Sequence, residues 1–200
     1  MPDALLPSAR INLERATVLV LDDNGASLDI LSQVVSGFGV KQLFRAESVD
    51  AAQSLIRTKT FDLIISDVQM PVTDGIEFIE WLRKQSGETN RYVPVILVTG
   101  HTRSSQIRKL RDAGSNYVVA KPITPKVLLE RIYWVAREER VFIECDTYVG
   151  PDRRFKHEGP PPGTDGRRKD DLPAEVGEAQ TPNMSDDEIA NLMRPAKVQI

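Results

Sequence analysis

The chain holds a single cysteine, Cys145, among its 200 residues. That excludes an intrachain disulfide and a cysteine-built metal cluster, and it fits a reducing compartment. A long apolar run is also missing: nothing approaches the roughly 20 residues needed to cross a bilayer. Between Met1 and Arg10 only Leu5-Leu6 is apolar, so no secretory leader is visible. Nor is there an excess of either charge. A formal net charge of -3 provides no global attraction to nucleic acid or to an acidic membrane surface. The expectation is a cytoplasmic protein that neither inserts into membranes nor binds DNA.

What is present is apolar content of 40%, unevenly placed. Nearly all aliphatic runs fall within residues 17 to 143, and almost none within 150 to 183. Short β-branched runs at 17–21, 40–44, 61–66, 93–98 and 116–120 read as strands. Segments of helical period separate them at 25–38, 48–58, 75–85 and 103–113, with a fifth at 125–139. Ser48 is placed to cap the second helix, and Thr124-Pro125 reads as a cap and first residue of the fifth. Five strand–helix alternations imply an α/β fold: a doubly wound, five-stranded parallel sheet covered on both faces. With right-handed crossovers the expected order is 2-1-3-4-5, as in flavodoxin-like folds, with the switch point between strands one and three.

The chemistry lies at the strand ends. Thr17-Val18-Leu19-Val20-Leu21 runs into Asp22-Asp23, and Leu63-Ile64-Ile65-Ser66 runs into Asp67. Val95-Ile96-Leu97-Val98 ends in Thr99, and Tyr117-Val118-Val119-Ala120 ends in Lys121-Pro122. Open α/β sheets place their sites at the carboxyl ends of strands, so Asp22, Asp23 and Asp67 are expected to meet at the switch point. Three carboxylates together repel one another unless a cation neutralises them. All-oxygen ligation suits a hard divalent ion, Mg²⁺ above all. Lys121 adds a compact positive charge and Thr99 a hydroxyl donor, a set suited to surround a phosphoryl group transferred to Asp67.

In these motifs residues 17 to about 138 resemble the receiver domain of bacterial two-component response regulators, of the chemotaxis-regulator type. The resemblance implies that Asp67 is the phosphoacceptor in a phosphorelay, charged by a histidine kinase or a histidine phosphotransfer protein. It implies Mg²⁺ held by Asp23, Asp67 and the Gln69 backbone carbonyl, with Asp22 acting through water. Thr99 and Lys121 take the parts of switch hydroxyl and phosphate-binding lysine. Met70-Pro71 and Gly75 match the family's turn after the acceptor, and Lys121-Pro122 matches a lysine–proline pair that is usually cis. One departure stands out. The family's switch aromatic falls at Val118, while Tyr117 sits one place earlier and, by strand alternation, points to the opposite face. Gly100 replaces a common alanine, and His101 reads as an exposed loop residue.

The division expected along the chain is an N-terminal extension (1–15), the receiver (16–140), an apolar strap and Pro/Gly/Arg-rich linker (141–183), a short amphipathic helix (184–194) and a tail (195–200). Val141-Phe142-Ile143 reads as a short extra strand or a strap. From Gly150 to Asp171 six Lys/Arg face five Asp/Glu, with too little apolar surface to offset chain entropy, and the segment reads as mostly disordered. Ser185 with Glu188 forms a capping box, and Met184 with Ile189 a hydrophobic staple. Ile189, Leu192 and Met193 then share one face, which suits docking onto the receiver's own fourth helix, fifth strand and fifth helix.

The function expected is a single-domain response regulator that signals by contact with a downstream protein rather than by turning over a metabolite. An alternative is a receiver-like cyclic di-GMP effector that grips its ligand with Arg153, Arg154, Arg167 and Arg168, since guanidinium groups bind phosphate bidentately and stack on bases. A dehalogenase-like phosphatase needs a second aspartate two residues after the nucleophile, where this chain has Gln69.

Overall fold

A computed structural model describes residues 12–71, 73–85, 89–137, 140–145 and 148–153, together with Ser185 and Ile189. Its main sheet consists of β1 (Thr17–Leu21), β2 (Gln42–Ala46), β3 (Leu63–Asp67), β4 (Val95–Thr99) and β5 (Tyr117–Ala120). The order is β2-β1-β3-β4-β5 and every pairing is parallel. Helices α1 (Gly25–Gly37), α2 (Val49–Ile56), α3 (Gly75–Lys84), α4 (Ser104–Asp112) and α5 (Pro125–Ala136) make the crossovers. All five residues of β3 and of β4 are buried, as expected for central strands covered on both faces.

Local chemistry sets the helix starts. Ser48 accepts from the Ala51 amide and Thr124 from the Val127 amide, both as expected of capping side chains. Asn24 caps α1 and Asp74 caps α3, each taking up amides that the helix itself leaves without partners. The second strand begins at Gln42 rather than at residue 40. Gly39, at φ 93°, takes the left-handed turn that ends α1, and pairing with β1 starts only at Gln42 opposite Thr17. Only Ala46 of this edge strand is buried, so its apolar signature is weak.

Beyond α5, the short extra strand read at Val141-Phe142-Ile143 is present, and a second strand follows it where the sequence reads as linker. Phe142–Cys145 (β6) and Tyr148–Pro151 (β7) form an antiparallel two-stranded hairpin. Tyr148, Gly150, Pro151 and Asp152 are buried, so the segment read as disordered from Gly150 onward starts inside an ordered hairpin. The hairpin packs at the amino-terminal end of the sheet, over Arg83. That guanidinium is only 2% exposed and has no carboxylate within salt-bridge distance among the described residues. It donates instead to the carbonyls of Gly114 (3.1 and 3.0 Å), Arg91 (2.6 Å) and Val93 (2.8 Å), with the Phe142 ring 5.3 Å away. Burial pulls its pKa down to about 9, so it remains charged at neutral pH. The planar fork spreads five donors over three nitrogens in fixed directions, which suits carbonyls arrayed around it better than the three donors of an ammonium on a single atom.

Of the C-terminal segment, Ile189 donates its amide to the Ser185 carbonyl at 2.9 Å. Its side chain is 1% exposed and belongs to the same contiguous apolar cluster as the sheet. The rest of the helix expected over 184–194, the N-terminal extension to residue 11, all of the 154–183 linker and the 195–200 tail lie outside the described residues.

Candidate functional site

At the carboxyl edge of the sheet, where the chain goes left from β1 to β2 and right from β1 to β3, the structure brings Asp22, Asp23 and Asp67 together. A carboxylate oxygen from each lies within 4.8 Å of the others. Asp22 is 1% exposed, Asp67 is also buried, and Asp23 faces solvent. Lys121 reaches in from the loop after β5, its Nζ 3.1 Å from Asp67 Oδ1 and 3.2 Å from Asp22 Oδ2. The Lys121–Pro122 peptide is cis.

The electrostatics follow from this crowding. Burial raises the Asp67 pKa and outweighs the lowering by the Lys121 charge and hydrogen bond, while Asp22 pushes it up further. Burial by itself would lower the Lys121 pKa. Attraction to Asp67 and Asp22, with hydrogen bonds to both, more than reverses that and holds the ammonium above its ordinary value. Three carboxylates against one ammonium leave two excess negative charges in a partly buried cluster. A divalent cation on all-oxygen ligands is the species whose charge and hardness match that set.

The other strand-end residues fall around this cluster. Thr99 is fully buried at the end of β4, one residue past Val98, the register partner of Asp67. Its hydroxyl bonds locally, accepting from the His101 amide at 3.0 Å and donating to the His101 carbonyl at 3.2 Å. Gln69 lies on the exposed turn beyond Asp67, and its side-chain oxygen would be 3.8 Å from a Cβ placed on Gly100. Gly75 closes that turn. A Cβ there would sit 2.8 Å from the Asp67 carbonyl oxygen and 2.9 Å from Val68 Cα, so only glycine lets α3 begin this close to the acceptor strand. His101 is exposed.

Tyr117 points away from Thr99. It is buried against Trp134 of α5, with ring centroids 5.2 Å apart, and the Arg131 guanidinium lies 5.0 Å from its ring. Val118 is buried opposite Leu97 in the β4–β5 register.

Of the arginine candidates, Arg153 alone lies among the described residues. Arg153 Nη1 pairs with Asp112 at 3.1 Å and its guanidinium covers the Tyr148 ring at 4.2 Å, at the hairpin and remote from the carboxylate cluster. Arg154, Arg167 and Arg168 lie outside the described residues. Nothing here supports the cyclic di-GMP reading. What sequence reasoning missed is Arg83, whose importance comes from partners 8 to 33 residues away and has no local pattern.

A doubly wound parallel sheet with an acidic cluster and a lysine at its switch point defines a class of α/β signalling domain. The family description "Response regulator receiver domain" matches residues 18–133, and the chain belongs to that family. It is 29% identical over 115 residues to the chemotaxis protein CheY of Pseudomonas aeruginosa, covering 58% of this chain and 91% of that one. It is 30% identical over 125 residues to the sensor histidine kinase GacS of Pseudomonas protegens, covering 62% of this chain but 14% of the relative. Among solved structures, the chemotaxis response regulator CheY4 of Vibrio cholerae is 29% identical with a TM-score of 0.56, covering 60% of this chain and 98% of that one. Receiver domains are signalling modules of two-component phosphorelays. No helix among the described residues is long and apolar enough to cross a membrane.

Proposed function

We propose that this chain is a single-domain response regulator that accepts a phosphoryl group on Asp67 from a histidine kinase or a histidine phosphotransfer protein. Its output is contact with a downstream protein. The observation that carries the reading is the Asp22–Asp23–Asp67 cluster with Lys121 Nζ bridging two of its members. An Asp67 carboxylate oxygen attacks the phosphorus of a phosphohistidine, the P–N bond breaks, and the imidazole leaves with the electron pair and takes up a proton. Asp22, Asp23, Asp67 and the Gln69 carbonyl are the groups to hold Mg²⁺, which when bound would offset the charge of the transferring phosphoryl oxygens.

Lys121 is placed to move its charge from the two carboxylates to the phosphoryl group, and Thr99 to exchange its His101 bond for a phosphoryl oxygen. An apolar groove of about 480 Å³ opens beside the cluster between α1 and the β5–α5 loop, lined by Ile30, Leu31, Val34, Pro122 and Ile123. Ile30 is 65% exposed on its rim, which supports the approach of a phosphodonor from this side.

Incubation with acetyl phosphate and Mg²⁺ should add one phosphoryl group by intact mass, none to Asp67→Asn, and none in the presence of a chelator. Lys121→Ala should still be labelled, about tenfold more slowly, given the loss of one charge on the transferring group. Equal labelling of the Asp67 variant would overturn the assignment.

A further inference from the structure

Helix α4, which follows Thr99, is the most lightly anchored helix of the domain. It buries only Ile107 and Leu110, fewer residues than any other α-helix described. Its N-cap, Arg103, makes no side-chain capping bond. The loop leading into it is pinned by the pair of bonds between the Thr99 hydroxyl and the His101 backbone.

The other end of α4 is held by the hairpin. Asp112, its last residue, pairs with Arg153 just past β7. Gly114, at φ 104°, gives its carbonyl to Arg83. A Cβ on Gly114 would lie 2.6 Å from the Val149 carbonyl oxygen, and one on Gly150 would lie 2.7 Å from Gly114 Cα. The two backbones are in contact, with Tyr148 Oη 2.6 Å from the Gly150 Cβ position and Arg83 Cγ 3.2 Å from that of Gly114. Such a seat has no slack, so a displacement of the α4–β5 turn must open it rather than compress it.

We propose that the β6–β7 hairpin reads the position of α4 and loosens when Asp67 carries a phosphoryl group. The inference rests on the phosphoacceptor reading above. A phosphoryl oxygen on Asp67 competes with the His101 carbonyl for the Thr99 hydroxyl. Once that bond is exchanged, the uncapped start of α4 loses its tether, and the shift reaches Asp112 and Gly114 nine to eleven residues on. The coupling is reciprocal: whatever loosens the hairpin must make loading of Asp67 more favourable by the same factor.

The test is hydrogen exchange on the full chain with and without beryllofluoride and Mg²⁺, with the adduct itself followed by fluorine NMR. In the loaded protein the amides of residues 142–151 should exchange about tenfold faster. Arg153→Ala and Gly150→Ala should each loosen the hairpin without ligand and bind beryllofluoride about fivefold more tightly. If the adduct forms and hairpin exchange is unchanged, the hairpin is not a reader. If the variants loosen it without any gain in affinity, it is only a strap. Absence of any adduct fails the phosphoacceptor reading, and this inference with it.

Discussion

At the scale of single residues, the site depends on a few positions where one atom more or less changes the outcome. Gly75 is the sharpest case, because both atoms a Cβ would strike belong to the backbone of Asp67 and Val68. Backbone cannot rotate out of the way as a side chain can. Gly75→Ala should therefore cost about 2 kcal/mol by urea unfolding, within the usual range for overpacking. It should also slow acetyl phosphate labelling by displacing the acceptor. A variant with wild-type stability and labelling rate would show that the turn has room. Asp22, Asp23, Asp67, Thr99 and Lys121 were legible as candidates because each ends an apolar run, and runs of that type end at a sheet's carboxyl edge. Arg83 was not, since a buried arginine among carbonyls looks in sequence like any surface arginine on a helix.

At the scale of elements, the sequence offered a short strand or strap at 141–143 but not the second strand that completes the hairpin. Its signal is two four-residue strands, one of them carrying a glycine and a proline that usually argue for loop. Its order comes from what it covers. Tyr148 is buried beside the contact between Gly114 and Gly150 and donates its hydroxyl to the Pro151 carbonyl at 2.6 Å. Burial pushes its pKa up to about 12, against the lowering effect of Arg153, Arg83 and Arg140, and Asp112 adds to the rise. A folded-state pKa above the unfolded value of about 10 means that stability is fully present below pH 10. It is lost as pH rises through 12. Urea unfolding should therefore show the wild type losing stability over that window. Tyr148→Phe, which has nothing to ionise, should lose less, so the gap between the two narrows. A constant gap from pH 8 to 12 would place the phenol in solvent.

The same scale explains the edge strand. β1, β3 and β4 announce themselves by continuous apolar runs because both faces are covered. β2 has one buried residue, so its limits are set by pairing with β1 and by the turn at Gly39, neither of which is visible in a hydropathy pattern.

At the scale of the whole molecule, Ile189 ties the far end of the chain to the domain. It lies 36 residues past Arg153, yet it is buried within the cluster that contains the sheet. Burial of the Ile189 side chain requires an apolar surface, and that surface is the domain's own cluster. Removing residues 181–200 should shift amide resonances on α4 and β5, and Ile189→Asp in the full chain should reproduce those shifts. Superimposable spectra of the full and shortened chains would mean that the terminal segment does not dock there.

The sequence by itself determined the receiver's class, its strand order and the residue types at its switch point. These depend on period, run length and what ends each run, all of which are local along the chain. The tertiary structure decided how Lys121 divides itself between Asp22 and Asp67, that Trp134 is the ring Tyr117 packs against, and that Tyr148–Pro151 pairs with Phe142–Cys145. Those outcomes depend on tertiary contacts, where packing and shared hydrogen-bond partners choose among arrangements that local pattern leaves equal.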